Sequence, residues 1–319
     1  MPVAFVTGVT GQTGSYLAEN LIGRGWTVHG LVRSGEVIST QLDAELQLHE
    51  GDLTDTGHLG RLVRQISPDS VINLAAMSSV ALSWEQPVAT AAVNGLAVAS
   101  LIDAAYSVHK TLGKPVSFVQ ASSAEIFGNA EEAPQTESTP LRPINPYGAS
   151  KAYAHLLVGA YRNLGLLASS VILYNHESPR RPVQFVTRKI TAGVARIKAG
   201  LQNDLVLGDL NVRRDWGWAP DYADALARIA VGDKPNDYIV ATGESHTIED
   251  FVASAFVAAG ISDWRGYVKT DQEFIRPADA SELRGDATRI QNTYGWKPTI
   301  RFDEIVRRMV EADLAELQR

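Results

Sequence analysis

A glycine-rich turn near the start of the chain constrains its fold more than any other feature. The sequence GVTGQTG places Gly8, Gly11 and Gly14 directly after the apolar run VAFVT and at the start of a helical pattern. The first glycine allows a tight turn, the second a close approach of backbone to pyrophosphate, and the third close packing of helix on strand. Because the turn lies between a strand and a helix, we expect a dinucleotide-binding βαβ unit rather than a glycine-rich turn without a ligand.

Short apolar runs alternate with helical patterns through the first half of the chain. These runs lack polar alternation, which is typical of strands covered on both faces. Strands are predicted at 3–7, 27–32, 70–75, 116–121 and 168–174, and helices at about 12–23, 55–66, 88–109 and 146–164. The last helix has a cap at Asn145, a first-turn proline at Pro146 and a terminating Gly165. The alternation predicts an α/β fold, a Rossmann-type doubly wound parallel sheet with helices on both faces.

The second half of the chain is less regular after Leu173, where polar loops and basic residues follow. Later patterns predict a strand at 237–242, a helix near 247–259 and an amphipathic helix at 302–317. We expect a dinucleotide-binding domain and a smaller α/β substrate-binding domain. The first would comprise 1–174 and about 215–242, and the second about 175–214 and 243–319.

Composition and charge argue against several classes of function. The 319 residues include no cysteine, which excludes disulfides, thiolate metal sites and a cysteine nucleophile, and the seven histidines lack metal-ligand spacing. A net charge of −7 without long runs of one sign argues against general nucleic-acid binding. The N-terminal apolar run is too short for a signal peptide, and no uninterrupted apolar stretch approaches the roughly 20 residues of a membrane span. We therefore expect a cytoplasmic protein with no metal, nucleic-acid or membrane partner.

A tyrosine and a lysine in NPYGASK are candidates for proton transfer. Tyr147 and Lys151 are four residues apart and hence lie on one face of the predicted helix. A phenol is a poor base at neutral pH, but a nearby ammonium favours the phenolate, which can take a proton from a sugar hydroxyl while hydride leaves the same carbon. Ser123, at the end of a neighbouring strand, can hydrogen-bond the same oxygen.

Two residues bear on the choice of cofactor. Arg33 follows the second strand, where an acidic residue would hold the ribose 2′-hydroxyl of NAD and an arginine can meet the 2′-phosphate of NADP. The sequence therefore favours NADP over NAD, unless Arg33 is only a surface side chain. Asp52, in EGDLTD, either touches the adenine or caps the helix that follows.

The chain resembles the extended short-chain dehydrogenase/reductase superfamily and, within it, the GDP-mannose 4,6-dehydratases. The resemblance covers nearly the whole chain, through GVTGQTGSYLAE, NLAAMSSV, QASSAEIFG, NPYGASK, NHESPRR, FVTRKIT, GDLNVRRDWGWAPDY, ATGESHT and RPAD. It implies conversion of GDP-mannose to GDP-4-keto-6-deoxy-mannose. In that reaction C4 is oxidised, water is eliminated across C5 and C6, and the hydride returns to C6 from a recycled NADP.

The resemblance also implies a role for Glu125, which matches the glutamate that removes the C5 proton in this family, beside Ser123, Tyr147 and Lys151. In the related dTDP-glucose dehydratases an aspartate precedes this glutamate and helps the C6 hydroxyl to leave. Here Ala124 stands in that place, so we expect Glu125, directly or through water, to protonate the departing hydroxyl as well. The alternative is a carboxylate that only pairs with an arginine or lysine.

Other positions match residues around the family's cofactor and substrate. The resemblance implies cofactor contacts from Gly8, Thr10, Gly11, Gln12, Thr13, Gly14, Arg33, Asp52, Leu53, Leu74, Ala75, Ala76, Ser78, Tyr147, Lys151, His176 and Arg180. It implies substrate contacts from Ser83, Ser123, Glu125, Tyr147, Asn175, Arg181, Val186, Lys189, Gly208, Arg214, Arg276 and Asp279. Arginines suit a diphosphate, although any one of them could be an ordinary solvated charge.

The chain departs from the family's pattern in two regions. Near the cofactor, residues differ from the family's aspartate, glutamine and histidine at Thr13, Met77 and Ser79. After Arg33, Ser34 replaces a second arginine, Glu36 stands nearby, and the segment is shorter than the family's loop to a neighbouring subunit. These departures argue against a strict preference for NADP and against a homotetramer. They favour a homodimer through the helix at 146–164.

Two classes of alternative function are considered. One is the related GDP-4-keto-6-deoxy-mannose reductase, or another nucleotide-sugar dehydratase or epimerase. The other is a dinucleotide-binding regulator without catalytic activity. Regulators of this kind usually lose the tyrosine or the lysine, whereas this chain has both Tyr147 and Lys151.

Overall fold

A computed structural model describes residues 1–36, 45–274 and 278–318. Its strands are β1 Val3–Thr7, β2 Thr27–Val32, β3 Leu46–Glu50, β4 Ser70–Asn73, β5 Ser117–Ser123, β6 Leu167–Leu173, β7 Asn175–Glu177, β8 Leu205–Leu207, β9 Arg213–Arg214, β10 Trp216–Trp218, β11 Asp237–Val240, β12 His246–Thr247, β13 Val268–Thr270 and β14 Glu282–Leu283. Its helices are α1 Gln12–Gly23, α2 Thr56–Ile66, α3 Val80–Glu85, α4 Pro87–Ala91, α5 Ala97–Leu112, α6 Pro146–Asn163, α7 Val186–Lys198, α8 Ala219–Val231, α9 Ile248–Ala258, α10 Thr288–Tyr294 and α11 Phe302–Glu316.

A seven-stranded parallel sheet has the order β11-β6-β5-β4-β1-β2-β3. The chain runs outward from β1 to β2 and β3, then returns to β4 on the other side of β1. In sheets of this kind ligands bind in the crevice where the strand order reverses, outside the carboxyl ends of the strands. The predicted doubly wound Rossmann fold is confirmed, and β1 and β4 border the crevice.

Both faces of the sheet are covered by helices. Along β1, Ala4 and Val6 pack into one apolar cluster with α1 and α8, whereas Phe5 packs into another with α2, α5 and α6. Successive strand side chains point to opposite faces, so a buried strand contributes to both clusters. This explains the apolar runs without polar alternation.

Several predicted elements agree closely with the structure. Strands β1 and β2 have the predicted bounds, Asn145 caps α6, and Pro146 opens that helix. The C-terminal helix α11 buries its apolar stripe, which includes Ile305, Val306, Met309 and Val310. These elements follow from local patterns alone.

Other elements differ from prediction. The helix expected at 88–109 is part of a segment in which a π-helical turn, Ala92–Leu96, joins α4 to α5. Strand β3 was not predicted; it lies at the sheet edge, and only Leu46 in it is fully buried. Helices α7 and α8 were also not predicted. The physical reason is that burial of these segments depends on neighbours distant in sequence.

A third apolar cluster joins α7, α9 and α11 to the short strands β8 and β10. Most of these elements belong to the proposed substrate-binding domain, whereas Ile290 and Trp296 pack into the cluster of the large sheet. The predicted domain boundaries stay a proposal.

By length and composition alone, the helical segment Pro87–Leu112 could cross a membrane, and it is the one such segment among the described residues. Polar residues such as Asn94 and Asp103 interrupt this segment, so the expectation about uninterrupted apolar stretches is not contradicted. Half of its most apolar window is buried, and Val98, Leu101 and Ile102 lie in the sheet's core. This packing accounts for its composition.

Candidate active site

The glycine loop joins β1 to α1 at the edge of the crevice. Gly8 has a positive φ of +70°, and a Cβ there would lie 2.7 Å from the backbone nitrogen of Ala75, after β4. A Cβ at Gly14 would overlap the carbonyl oxygen of Gly8. Side chains at either position would displace the neighbouring backbone, so the two glycines fix the turn that leads into the N-terminus of α1, where an anion can bind. The residues present fit a dinucleotide pyrophosphate.

Tyr147 and Lys151 lie on the first turns of α6, as predicted. Both are buried, and the Lys151 Nζ lies 5.9 Å from the centroid of the Tyr147 ring. Nζ donates to the carbonyl oxygen of Ala121 on β5 at 2.9 Å. This bond holds the helix side chain against the end of the strand that leads to Ser123 and Glu125.

Burial raises the pKa of Tyr147 to about 12, although a hydrogen bond with Ser123 lowers it, and the charge of Glu125 raises it further. Burial lowers the pKa of Lys151 to about 8. The phenol is therefore protonated in this structure at neutral pH, and Lys151 alone does not produce the expected phenolate. The effects of Ser123 and Glu125 on the pKa of Tyr147 show that the three side chains lie close together, as the sequence predicts.

Glu125 lies in a short 3₁₀ turn, Ala124–Ile126, directly after β5. Its carboxylate is buried, and Oε2 accepts a hydrogen bond from Nδ2 of Asn145 at 2.9 Å. Among the ion pairs of the described residues none involves Glu125, so the alternative of a carboxylate neutralised by an arginine or lysine finds no support. A buried carboxylate is costly unless it is paired or used.

Asn145 has two functions. Its Oδ1 accepts from the backbone nitrogen of Gly148 at 2.7 Å, which caps α6, while its Nδ2 holds Glu125. The sequence predicts the cap from the position before Pro146. It carries no signal for the contact with Glu125, which joins residues 20 positions apart.

The loop after β4 contains Leu74, Ala75, Ala76 and Ser78. The backbone nitrogen of Ala75 donates to Oγ1 of Thr7 at 3.1 Å, which fixes this loop against β1. Asn94, in the π-helical turn, bonds both the nitrogen and the oxygen of Met77 and contacts Ser150 on α6. π-Helical turns often occur at functional sites. Sequence reasoning missed Asn94, since no local pattern marked the turn.

A segment after β6 fastens the glycine loop to the rest of the site. His176 has its pKa lowered to about 4 by burial, so the ring is neutral. Its Nδ1 donates to the carbonyl of Tyr174, which leaves Nε2 to accept from Thr13 at 2.7 Å. Gln12 Nε2 donates to the carbonyl oxygen of His176 at 2.9 Å. Thr13, a departure from the family's aspartate, therefore still joins α1 to this segment.

Two other predicted residues, Ser83 and Arg180, contact polar groups of the protein itself. The hydroxyl of Ser83 is buried and accepts from the backbone nitrogen of Tyr147 at 3.2 Å, so it supports the start of α6. Arg180 forms an ion pair with Glu19 at 2.6 Å and stacks on Tyr16, on α1. Their roles toward substrate and cofactor stay predictions.

At the far end of the crevice Arg33 follows β2 and forms an ion pair with Glu36 at 2.6 Å. Asp52 makes a tight turn with Thr54, whereas Asp55 caps α2 by accepting from the nitrogen of His58. The alternative that Asp52 caps the following helix is therefore wrong. Leu53 lies beside it and packs on the core.

Arg181 is a predicted substrate ligand whose charge acts on Tyr147. Its charge lowers the pKa of Tyr147, its guanidinium stacks on Phe185, and its Nε lies 3.4 Å from Oε2 of Glu177. Glu177 is fully buried, burial raises its pKa, and it also accepts from Thr187. Sequence reasoning missed Glu177, although it lies inside NHESPRR.

The remaining predicted substrate residues are spread along the second half of the chain. Arg214 is buried and forms an ion pair with Asp279, so two predicted ligands contact each other. Lys189 on α7 lies over the ring of Phe274, and burial lowers its pKa. The structure places three others at β7, at the start of α7 and after β8: Asn175, Val186 and Gly208. Arg276 lies outside the described residues.

Comparison with known proteins agrees with this geometry. A family model for GDP-mannose 4,6 dehydratase matches residues 5–309. GDP-mannose 4,6 dehydratase 2 of Arabidopsis thaliana is 45% identical over 98% of this chain and 87% of its own length.

Solved structures share the fold. RMD from Pseudomonas aeruginosa, complexed with NADPH, has a TM-score of 0.82 and 26% identity over 99% of this chain and all of its own. UDP-glucose 4-epimerase of Thermus thermophilus, complexed with NAD, has a TM-score of 0.83 and 27% identity over 98% of each chain. Both neighbours hold a nicotinamide dinucleotide.

Proposed function

The chain belongs to the GDP-mannose 4,6-dehydratase family of hydro-lyases, and from that premise we propose that it converts GDP-mannose to GDP-4-keto-6-deoxy-mannose. C4 of the hexose is oxidised, water is lost across C5 and C6, and C6 is reduced without net consumption of the cofactor. The curated relatives' names support the substrate, and the arrangement of Glu125, Tyr147 and Ser123 supports the order of steps.

We propose a nicotinamide dinucleotide, NADP by the argument from Arg33, as the resident cofactor. The turn fixed by Gly8 and Gly14 would present the N-terminus of α1 to the pyrophosphate, and Arg33 would meet a 2′-phosphate. When bound, the nicotinamide takes a hydride from C4 and later supplies one to C6. Tyr147 and Lys151 would lie beside it, at the carboxyl ends of β4 and β5.

Tyr147 moves the proton of the C4 hydroxyl. Its phenol is held by Ser123, and its high pKa makes the phenolate a strong base for that proton. The product keeps the C4 ketone, so the proton is released to solvent, and C5 takes up a solvent proton when hydride reaches C6. For the first step the phenol must lose its proton, and the ammonium of Lys151, 5.9 Å from the ring centroid, favours that loss. The pair therefore serves the oxidation of C4.

Glu125 removes the C5 proton, which the new C4 ketone makes acidic. The bond from Asn145 fixes one carboxylate oxygen and leaves the other for the substrate. The protonated carboxyl then supplies the proton that leaves with the C6 hydroxyl, since Ala124 offers no second acid. One group thus serves first as base and then as acid.

The observation that most supports dehydration is the buried Glu125 held by Asn145 rather than by a cation. Oxidation and reduction at C4 alone need no carboxylate, so an epimerase or reductase would not require this arrangement. A regulator would not require Tyr147 and Lys151. These alternatives therefore rank below the dehydratase.

Basic side chains at one end of the site suit a diphosphate. Arg181 lies near Tyr147, and Lys189 follows it on α7. Arg214 is paired with Asp279 and would have to share its guanidinium with a phosphate. We propose that these cations bind the GDP moiety and so orient the hexose toward Glu125.

We also propose a homodimer through α6. Tyr153 and Leu156 on this helix and Leu96 on the adjacent π-helical turn are exposed, with 63% of Leu156 accessible. Contiguous exposed apolar side chains are typical of an interface. Leu156→Lys should yield a monomer in light scattering, and an unchanged mass would contradict this face.

The experiment that tests the function uses GDP-mannose deuterated at C4, in ordinary water and, separately, the unlabelled sugar in heavy water. We expect the C4 label at C6 of the product, solvent deuterium at C5, and no net change in nicotinamide absorbance. Net oxidation of NADPH with a ketosugar would instead indicate the reductase. Binding of GDP-mannose without conversion would indicate a regulator, and loss of the C4 label to water would contradict a recycled cofactor.

A further inference from the structure

Glu36 is a carboxylate that contacts Arg33, the residue expected to bind a cofactor 2′-phosphate. An acidic side chain is unusual beside such a residue. Its Oε1 accepts from Nε of Arg33 at 2.8 Å and lies 2.6 Å from the second guanidinium nitrogen. Its Oε2 accepts from the hydroxyl of Thr10, in the glycine loop, at 3.3 Å. Glu36 therefore bridges the end of β2 and the phosphate-binding turn, at the position where the fold holds the adenosine ribose.

The adjoining cavity is rich in carboxylates. It has a volume of about 470 Å³ and is lined by Arg33, Ser34, Glu50, Gly51, Asp52, Asp55 and His58. Hydrogen bonds from Thr54, and the charge of Arg33, lower the pKa of Asp52, so it stays ionised at neutral pH. Glu36 and the three lining carboxylates, those of Glu50, Asp52 and Asp55, outnumber the one guanidinium of Arg33. This excess of negative charge is unfavourable for binding a further dianion.

In this fold an acidic residue at the end of β2 selects NAD, and an arginine there accommodates NADP. This chain has both, and they are paired with each other. We propose that Glu36 is a specificity-determining residue that makes the cofactor site take NAD about as well as NADP. The inference rests on the proposed function, since it concerns the cofactor of that reaction.

NAD and NADP would affect the Arg33–Glu36 ion pair differently. A ribose 2′-hydroxyl can donate to Glu36 while Arg33 keeps its partner. A 2′-phosphate must draw the guanidinium away from Glu36 and leaves that carboxylate beside a like charge. The ion pair therefore reduces the binding free energy that NADP gains from Arg33.

The test is direct binding of NADH and NADPH, followed by nicotinamide fluorescence, to the dialysed full-length protein and to Glu36→Gln. We expect wild-type dissociation constants within tenfold of each other. Glu36→Gln frees Arg33 and removes one negative charge, so NADPH should bind about tenfold more tightly while NADH changes less than threefold. Glu45→Gln is the matched control, because it removes the same charge at the opposite end of β3 and should leave the ratio unchanged.

A wild-type preference greater than tenfold for either cofactor would overturn the proposal. So would a Glu36→Gln ratio within threefold of wild type, or an equal shift in Glu45→Gln. Failure of both dinucleotides to bind the wild type would contradict the proposed function itself, which is a separate outcome.

Discussion

The two ends of the cofactor crevice are built from different kinds of contact. At the proposed catalytic end, Tyr147, Lys151 and Glu125 are buried, and each has a bonded partner in a neighbouring element. At the adenosine end, the guanidinium of Arg33 is largely exposed and pairs with Glu36 on the surface.

This difference has a physical consequence. Buried polar groups have few alternative partners, so a substitution that removes one partner loses the whole free energy of the interaction. Exposed ion pairs are screened by water and salt and are worth little each. We therefore expect changes at the catalytic end to stop the reaction and changes at the adenosine end to adjust affinity.

The largest effect is expected from Tyr147→Phe. The variant lacks the group that moves the C4 proton, so kcat should fall by about 10⁴-fold or more, while NADPH binding changes little. Turnover of GDP-mannose, measured by product mass, checks this. Tyr267→Phe, at an exposed tyrosine outside the site and the proposed dimer face, is the control and should keep its activity. Full activity of Tyr147→Phe would remove the tyrosine from the mechanism.

Glu125→Gln should separate oxidation from elimination. The amide oxygen can still accept from Asn145, so the fold is kept, but basicity is lost. We expect C4 oxidation to persist and formation of the 6-deoxy product to fall about 10³-fold, with no solvent deuterium entering C5. The exposed Glu131→Gln is the matched control. An unimpaired 6-deoxy product would contradict the assignment of the base.

Asn145→Ser tests the positioning of Glu125 apart from the helix cap. Serine is also a good cap, so the melting temperature should drop only slightly, whereas the donor to Glu125 is lost. We expect kcat to fall about 10- to 100-fold with little change in KM, and C5 exchange to slow in parallel. Thr247→Ser changes the cap of α9, which carries no predicted site residue, and should leave kcat unchanged. Equal kcat values for the two variants would mean that Asn145 is only a cap.

Lys151 should give the reaction and the fold opposite pH dependences. Its pKa is about 8 in the folded protein and about 10.5 when unfolded. Above about pH 8 the ammonium is lost, so kcat should fall up to tenfold per pH unit. Between pH 8 and 10.5 the unfolded state binds more protons, so this residue makes stability rise with pH.

Lys151→Met should therefore remove that rise in melting temperature, relative to the exposed Lys110→Met. An identical slope in both variants would show that Lys151 is not the group responsible.

The smallest effect is expected at the adenosine end, from Asp52→Asn. The amide keeps the turn with Thr54 but removes a charge from the cavity wall. NADPH should bind about two- to threefold more tightly at low salt, with no difference at about 0.5 M salt. Titration by nicotinamide fluorescence checks this, with Asp103→Asn as a control distant in sequence. A tenfold or salt-independent change would break the contrast between the two ends.

Local patterns in the sequence predicted much of the catalytic end. The spacing of Tyr147 and Lys151 required only that 146–164 be helical, and Ser123 required only a strand before it. The contacts of Asn94 with Ser150 and of Asn145 with Glu125 were not predictable, because no short-range pattern connects the elements that they join. Family resemblance assigned Glu125 a role, but not the contact that holds it.

The contacts at the adenosine end were less predictable from the sequence. Arg33 was recognisable as a candidate phosphate ligand, yet its charge is shared with Glu36, and that pairing depends on how the chain turns after β2. The edge strand β3 was missed, since four of its five residues are not fully buried and its strand conformation depends on pairing with β2.

The sequence by itself determined the βαβ unit, the parallel sheet and the identity of the groups that can move protons. These follow from steric limits at glycine, from apolar periodicity and from helical spacing, all of which act over a few residues. The tertiary structure alone decided which charges are neutralised and which stay available: Arg214 is held by Asp279, Arg33 by Glu36, and Glu125 by an amide. Electrostatic interactions depend on distance through space, so residues far apart in the chain set them only once it has folded.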